Sequence, residues 1–290
     1  DTYTTQSRNK RANRKSEFRL HDAEWLASVA SVLDDGFQYP HGELRQAWQL
    51  VCLNQFHDII PGSSIGEVYT ESLQQYECVR HMADEAKAQA LSSIARTAGG
   101  RLILANPIAF ERSEPVLWTG TPASGEALCG PGGQVVPTQR TEAGTLVDAG
   151  RIEPLGIVPL TVEAANPQTQ QGGMGFSPCG PKASASLSAW AKAHPTQLEN
   201  GLLRVEFNAD GDITSIYDKE NDRDVLADGA MANQFQAFED RPVNWDAWDI
   251  DIFYDDKMWT SEPAHSVRVV EEGPLRAALE IKRKILNSEY

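Results

Sequence analysis

The stretch "NQFHDIIPGSS", Asn54 to Ser64, sets an imidazole beside a carboxylate, His57 next to Asp58, just ahead of a Pro-Gly breaker. The pair has a structural reading and a chemical one. A histidine near a helix C-terminus can bond the last free carbonyls, and its cation favours the negative helix end. An aspartate before Pro-Gly can accept the amides of the turn. Chemically, a neutral imidazole with carboxylates suits Zn²⁺, which takes three or four protein ligands. No second histidine stands at i+4 of His57, and no His-x-Asp spacing occurs in the chain. A metal site built on His57 therefore needs ligands from a distant segment or from outside this chain.

Two other groups invite the same question. His21-Asp22 is a second His-Asp pair, the kind an HD-type metal phosphohydrolase uses. That fold needs a larger all-helical body, and here the helical texture ends near residue 98. Trp245, Asp246, Trp248, Asp249, Asp251 and Tyr254 crowd aromatic rings and carboxylates into ten residues. Such rings could pack on a sugar's C–H face while the acids accept its hydroxyls, and paired acids could hydrolyse a glycosidic bond. The segment alternates as a half-buried strand would, so a solvated strand face is the competing reading.

Three helices are expected ahead of residue 98. The first has apolar residues at Phe18, Trp25 or Leu26, Val29 and Leu33. The second starts near Pro40 with Leu44, Ala47, Trp48, Val51 and Cys52 on one side, and ends near Phe56. The third follows Gly62, with Ser64 and Glu67 spaced as a capping box. Its stripe is Ile65, Val68, Ser72, Tyr76, Val79, Ala83, Ala86, Ala90 and Ile94. Short connections between antiparallel helices make a bundle. Beyond Gly100, short apolar runs punctuated by Gly and Pro predict antiparallel β-structure. Asn166 to Ala185 reads as a long loop, and "NADGD" as a hairpin turn with Gly211 at positive φ. The expected fold class is α+β: a three-helix bundle (1–98), a small β region (99–190) and the start of a larger antiparallel β-sandwich-type domain (191–290). The last residues, "IKRKILNSEY", read as a strand, and the absence of an initial Met suggests a piece of a longer protein.

The formal net charge of −15 argues against a nucleic-acid partner. The one basic run, Arg8 to Arg19 with Lys10, Arg11, Arg14 and Lys15, reads as a solvated helix face. No stretch is long and apolar enough to span a membrane. Cys52, Cys78, Cys129 and Cys179 are far apart, and read as buried free thiols in a reducing, cytoplasmic setting.

The stretch "AWQLVCLNQFHDIIPGSSIGEVY" resembles the signature of glycoside hydrolase family 38 α-mannosidases, at a loop between two helices of their central bundle. "TYTTQSRNKRANRKSEFRLHDAEWLA", "LENGLLRVEFNADGDITSIYDKENDRDVL" and "FEDRPVNWDAWDIDIFY" resemble further blocks in the same order. The resemblance implies a retaining, zinc-dependent enzyme acting on α-mannosides. Its zinc is held by a His and an Asp of an N-terminal catalytic domain, the Asp nucleophile, and a His of the bundle loop. It implies His57 as that last ligand and Asp58 as a contact to the bound sugar. The His-x-Asp pair and the nucleophile segment are missing here, so no catalytic residue is expected in this chain. The expected partners are an α-mannoside and the absent catalytic domain, with homo-oligomers possible; a non-catalytic scaffold or carbohydrate-binding piece is the alternative.

Overall fold

The computed structural model describes residues 5–164, 192–245 and 249–290. The expected loop from Asn166 to Ala185, together with Cys179, Asp246 and Trp248, lies outside the described residues. Helices α1 (Ser7–Leu33), α2 (His41–Asn54) and α3 (Gly66–Ala98) form the bundle. Its core is Leu20, Ala23, Leu44, Ala47, Val51, Tyr76, Val79, Ala83 and Ala86. Small alanines let the axes approach closely, which is why a modest set of large residues fills the interior.

The inward face of α1 agrees with the expected one at its middle, where Leu26 is buried and Trp25 and Val29 pack beside it, and differs at the ends. Phe18 and Leu33 are exposed, while Leu20, Ala23, Ala27 and Ala30 are buried. The ends of the stripe misled because alanines share the contact face with Leu20 and Leu26. On α3 the expected stripe is buried from Ser72 to Ile94, and only its start, Ile65, is exposed. Cys52 and Cys78 are free but exposed, a correction to their expected burial. Each follows directly on a core residue or stands one short of it (Val51, Val79), and one helical step turns a side chain about 100° away from the core. Cys129 is free and buried as expected.

Gly99, at φ 71°, ends α3, its N–H bonding the Ala95 carbonyl as a left-handed cap. Asp34, just past α1, accepts the Ser93 hydroxyl at 2.6 Å and the Arg96 guanidinium at 3.3 Å, pinning one helix end to another.

All strand pairings are antiparallel. Leu102–Ala105, Ile157–Ala164 and Glu126–Cys129 make one three-stranded sheet; Val116–Trp118, Gly144–Val147 and Thr138–Thr141 make another. Leu104, Leu128, Val147 and Leu160 bring the two sheets into one core. A five-stranded sheet follows, in which Leu203–Phe207 and Ile213–Asp218 form the expected hairpin with Gly211 at φ 77°. The chain thus has an α+β fold, three helices followed by antiparallel sheets, with no closed barrel among the described residues.

Of two further strands in the sequence reading, one is not found among the described residues and the other is broken into shorter pieces. Of the first stretch, the described residues 244–245 and 249–254 form no strand: Trp245 is at φ 61°, and Ile252–Asp256 is a 3₁₀ turn that follows Asp251. The final residues break into Lys284–Ile285 and Ser288–Glu289, paired through a turn with Leu286 at φ 51°. Periodicity reports a face but not a chain reversal, and the reversal at Leu286 carries no glycine to mark it.

Gln139 locks the small β region to the chain's last third. Its amide nitrogen donates to Glu271 at 2.7 Å and to the Arg276 carbonyl at 2.8 Å. Its oxygen accepts the N–H groups of Leu275 at 2.8 Å and Arg276 at 2.9 Å. We expect Gln139→Ala to lower unfolding free energy by about 1–3 kcal/mol or more, since buried groups lose partners. A denaturant midpoint equal to the parent's would contradict this.

Candidate functional site

The turn from Gln55 to Ile65 joins α2 to α3 and carries His57 and Asp58 at its apex. The Val51, Cys52 and Leu53 carbonyls of α2 are taken by main-chain donors: Gln55 N–H bonds Val51 at 3.0 Å and Cys52 at 3.3 Å, and Phe56 N–H bonds Leu53 at 3.1 Å. The turn then closes on itself, with Ile59 and Ile60 N–H bonding the Phe56 carbonyl at 2.8 and 3.0 Å. The His57 ring is therefore not spent on capping α2. It is 77% exposed and packs beside Phe56, with ring centroids 4.3 Å apart. Its Nε2 lies 3.4 Å from the Asp58 carboxylate, itself 58% exposed. The structural role expected of the pair is filled by other groups, leaving both side chains turned outward.

The expected Ser64–Glu67 capping box does not form. The residue before α3 is Ile65, with no side-chain cap. Instead the Ser64 hydroxyl donates to the Asp58 carbonyl, and the Ser64 N–H donates to the Tyr69 hydroxyl at 3.0 Å. Ser64 stands two positions before the helix, too early to reach the N3 amide, and its bonds hold the turn instead.

Pro61 and Gly62 are buried against the start of α1. Gly62 has φ 103°, and a Cβ there would meet Thr5 at 2.6 Å. Both conformation and space demand glycine. We expect Gly62→Ala to cost about 1–3 kcal/mol, with the loss read by thermal unfolding. Beneath the turn lies a polar layer. Asn54 donates to Gln75 at 2.8 Å, Gln55 to Asn13 and Glu17 at 3.0 and 2.9 Å, and Ser72 to Asn9 at 2.6 Å. Burial, then the nearby Glu17 charge, pushes the Tyr76 phenol above its ordinary pKa, so it stays a donor to Asn13 at 3.2 Å.

The other candidates do not assemble. His21 and Asp22 sit side by side on the exposed face of α1 at 3.3 Å. A His-x-Glu spacing at His41 and Glu43 opens α2, where His41 packs near Tyr39 at 4.5 Å. Among the described residues no group of three or more His, Cys, Asp or Glu could hold a metal ion. Around Trp245, which is 75% exposed, Asp251 accepts the Val243 N–H at 2.7 Å and Tyr254 packs edge-on against Phe238 at 5.5 Å. These residues lie on a loop and a 3₁₀ turn, so among the described residues the expected row of carboxylates on one strand face is absent.

Two residues that hold the turn escaped the sequence reading. Lys10 belongs to the basic run expected to be a solvated face, yet its ammonium donates to the Pro61 carbonyl at 3.1 Å and to that of Thr5. Tyr69, 5% exposed, donates to the Ile59 carbonyl at 3.2 Å. A lysine within helix α1 that reaches a turn fifty residues later leaves no local signature. For Tyr69, its place on the buried side of α3 is the one available hint.

Residues 1–94 match the family model described as the alpha mannosidase middle domain, and residues 198–290 match the glycosyl hydrolases family 38 C-terminal domain. Alpha-mannosidase 2C1 of Homo sapiens is 31% identical over 292 residues, covering 96% of this chain and 24% of that protein. Alpha-mannosidase G of Dictyostelium discoideum is 25% identical, covering 97% of this chain and 27% of that protein. This chain thus spans about a quarter of the length of the curated relatives it matches. An alpha-mannosidase structure from Enterococcus faecalis V583 shares the fold, with a TM-score of 0.68 at 17% identity over 97% of this chain and 35% of that one. Matched at one end by the middle domain and at the other by the C-terminal domain, this chain belongs to glycoside hydrolase family 38.

Proposed function

We propose that this chain is part of a zinc-dependent retaining α-mannosidase that removes terminal α-mannosyl residues from oligosaccharides or glycans. In this reading His57 is one zinc ligand and Asp58 a contact to the sugar, while the catalytic carboxylates and remaining ligands belong to a separate catalytic domain. The observation that carries it is the outward-facing His57–Asp58 pair, whose side chains are not drawn into closing α2 because the Gln55 and Phe56 N–H groups bond the Val51 and Leu53 carbonyls. The donor chemistry suits a share of a zinc site, since an exposed imidazole is a good ligand. It does not suit a whole one, because no third ligand joins it among the described residues.

Zinc bound there would act as a Lewis acid and as a template for a sugar diol. The chain's own contribution is placement. His57 presents a ring nitrogen from a turn whose Gly62 packs closely against Thr5. Asp58, acceptor-only when ionised, orients sugar hydroxyls beside it. No helix among the described residues is long and apolar enough to cross a membrane. A cytoplasmic site of action is part of the proposal, supported by three free thiols among the described residues.

The second reading, a scaffold or carbohydrate-binding piece without activity, is favoured for the chain alone by its incomplete donor set. Two assays separate them. The full-length protein is expected to cleave an aryl α-mannoside and to lose this with a strong chelator, while the isolated chain cleaves nothing. Calorimetric titration of the isolated chain with zinc is expected to show weak binding, because one imidazole and one carboxylate are half a site. Tight one-to-one binding would contradict the shared-site reading.

A further inference from the structure

We propose that Lys10 and Tyr69 are positioning residues that set the His57–Asp58 turn at the height and angle its proposed metal and sugar contacts require. This inference rests on the function proposed above. The turn offers few bonds of its own, and the two side chains grip its main chain from different helices. Tyr69 holds the Ile59 carbonyl at 3.2 Å while accepting the Ser64 N–H at 3.0 Å, so one phenol ties both limbs of the turn together. Ile59 follows Asp58 directly. Lys10 holds the Pro61 carbonyl at 3.1 Å from α1, and its second bond, to the Thr5 carbonyl, fixes the residue against which Gly62 is packed.

The arrangement is unusual for a lysine in a basic run. Its neighbour Arg14 pairs with Glu17 at 2.6 Å in the ordinary way. Lys10 instead is half-buried and, among the described residues, meets two neutral carbonyls and no carboxylate. Burial lowers its pKa. An ammonium drawn from water to bond neutral carbonyls gains little stability against full hydration. What it does gain is direction, since three donors at the end of a half-buried stem fix the turn relative to α1. Residues that orient a metal ligand through the main chain act as outer-shell partners do, and their loss typically weakens metal binding by about 10–100-fold.

The test uses the full-length protein with Lys10→Met, Lys10→Arg, Tyr69→Phe and His57→Ala. Three quantities are read: zinc affinity by chelator competition, deuterium uptake in peptides covering 56–64, and thermal stability. Lys10→Met and Tyr69→Phe are each expected to weaken zinc binding about 10–100-fold and to speed exchange in 56–64, with exchange in the rest of α3 unchanged. Lys10→Arg should recover most of the affinity. Tyr69→Phe keeps the buried ring, so it carries the test even if Lys10→Met fails to fold. Folded variants with parental zinc affinity and parental exchange in 56–64 would overturn the proposal, as would a lowered melting temperature with zinc affinity untouched. If His57→Ala itself retains zinc, the functional reading fails, and exchange in 56–64 alone then decides whether these residues hold the turn.

Discussion

His57→Ala in the full-length protein should leave it folded but without tightly held zinc and with α-mannosidase activity reduced a hundredfold or more. The two halves of this expectation have separate physical grounds. The imidazole is 77% exposed, and helix α2 is closed by main-chain bonds that do not involve it. Its removal therefore deletes little packing within this chain, where surface changes of this kind stay within about 0.5 kcal/mol. Activity is another matter. Lewis-acid stabilisation by a bound metal is worth several kcal/mol, and about 1.4 kcal/mol is tenfold in rate, so losing it costs at least about two orders of magnitude. Asp58→Asn should act more gently, raising KM with zinc retained, because an amide still offers one acceptor oxygen. Metal analysis with kinetics on both variants checks this, and a fully active His57→Ala enzyme would remove the basis for the proposed site.

Arg283→Met is expected to destabilise the C-terminal part of the chain by about 3–5 kcal/mol, the cost of leaving one member of a buried ion pair behind. Arg283 is 2% exposed and Asp212 7%. The guanidinium bonds the Asp212 carboxylate at 2.8 Å, the Asn233 carbonyl and the Ser261 hydroxyl each at 3.3 Å, and also the Asp210 carbonyl. One side chain near the end of the chain thus stitches down the turn of an earlier hairpin and two further segments. Gly211 makes room for it, since a Cβ there would lie 2.9 Å from the guanidinium.

The pair also sets a pH dependence. Burial alone would raise the Asp212 pKa, but the bonds from Arg283 and Asn208 outweigh it and hold the carboxyl below its ordinary value. A depressed folded pKa adds stability above the unfolded value, about 3.9, and that stability is lost as pH falls through the folded one. Chemical denaturation between about pH 3 and 7 should show a steep acid limb in the parent that flattens in Arg283→Met. Equal acid limbs would contradict the assignment.

Helix existence was readable from the sequence, because Leu44, Val51, Val79 and Ile94 recur at helical spacing and all prove buried. The hairpin around Gly211 was readable too, since its glycine announces φ 77°. What failed had no local mark. Ala23, Ala27 and Ala30 line the α1 contact, but alanine is equally at home on a surface. Ser64 and Glu67 have capping-box spacing, yet the helix starts later because Tyr69 and Asp58 engage Ser64 first. The alternation around Trp245 suggested a strand, and a left-handed residue breaks it. For the site, the apex pair was visible in sequence and its tethers were not. Local chemistry names His57 and Asp58, whereas Lys10 reaches their turn, at the Pro61 carbonyl, only through tertiary packing.

The Gln139 lock has a bearing on how this chain can drift. Three of its four bonds go to main-chain groups of Leu275 and Arg276. Either residue can change its side chain without touching those bonds, while position 139 has almost no freedom. Gly273 shares the constraint, because a Cβ there would fall 2.3 Å from the Gln139 amide. Memory of the junction is therefore written unevenly, in one glutamine and one glycine. A descendant could rewrite most of the 275–276 turn and keep the joint intact, yet lose it through a single letter on the other side.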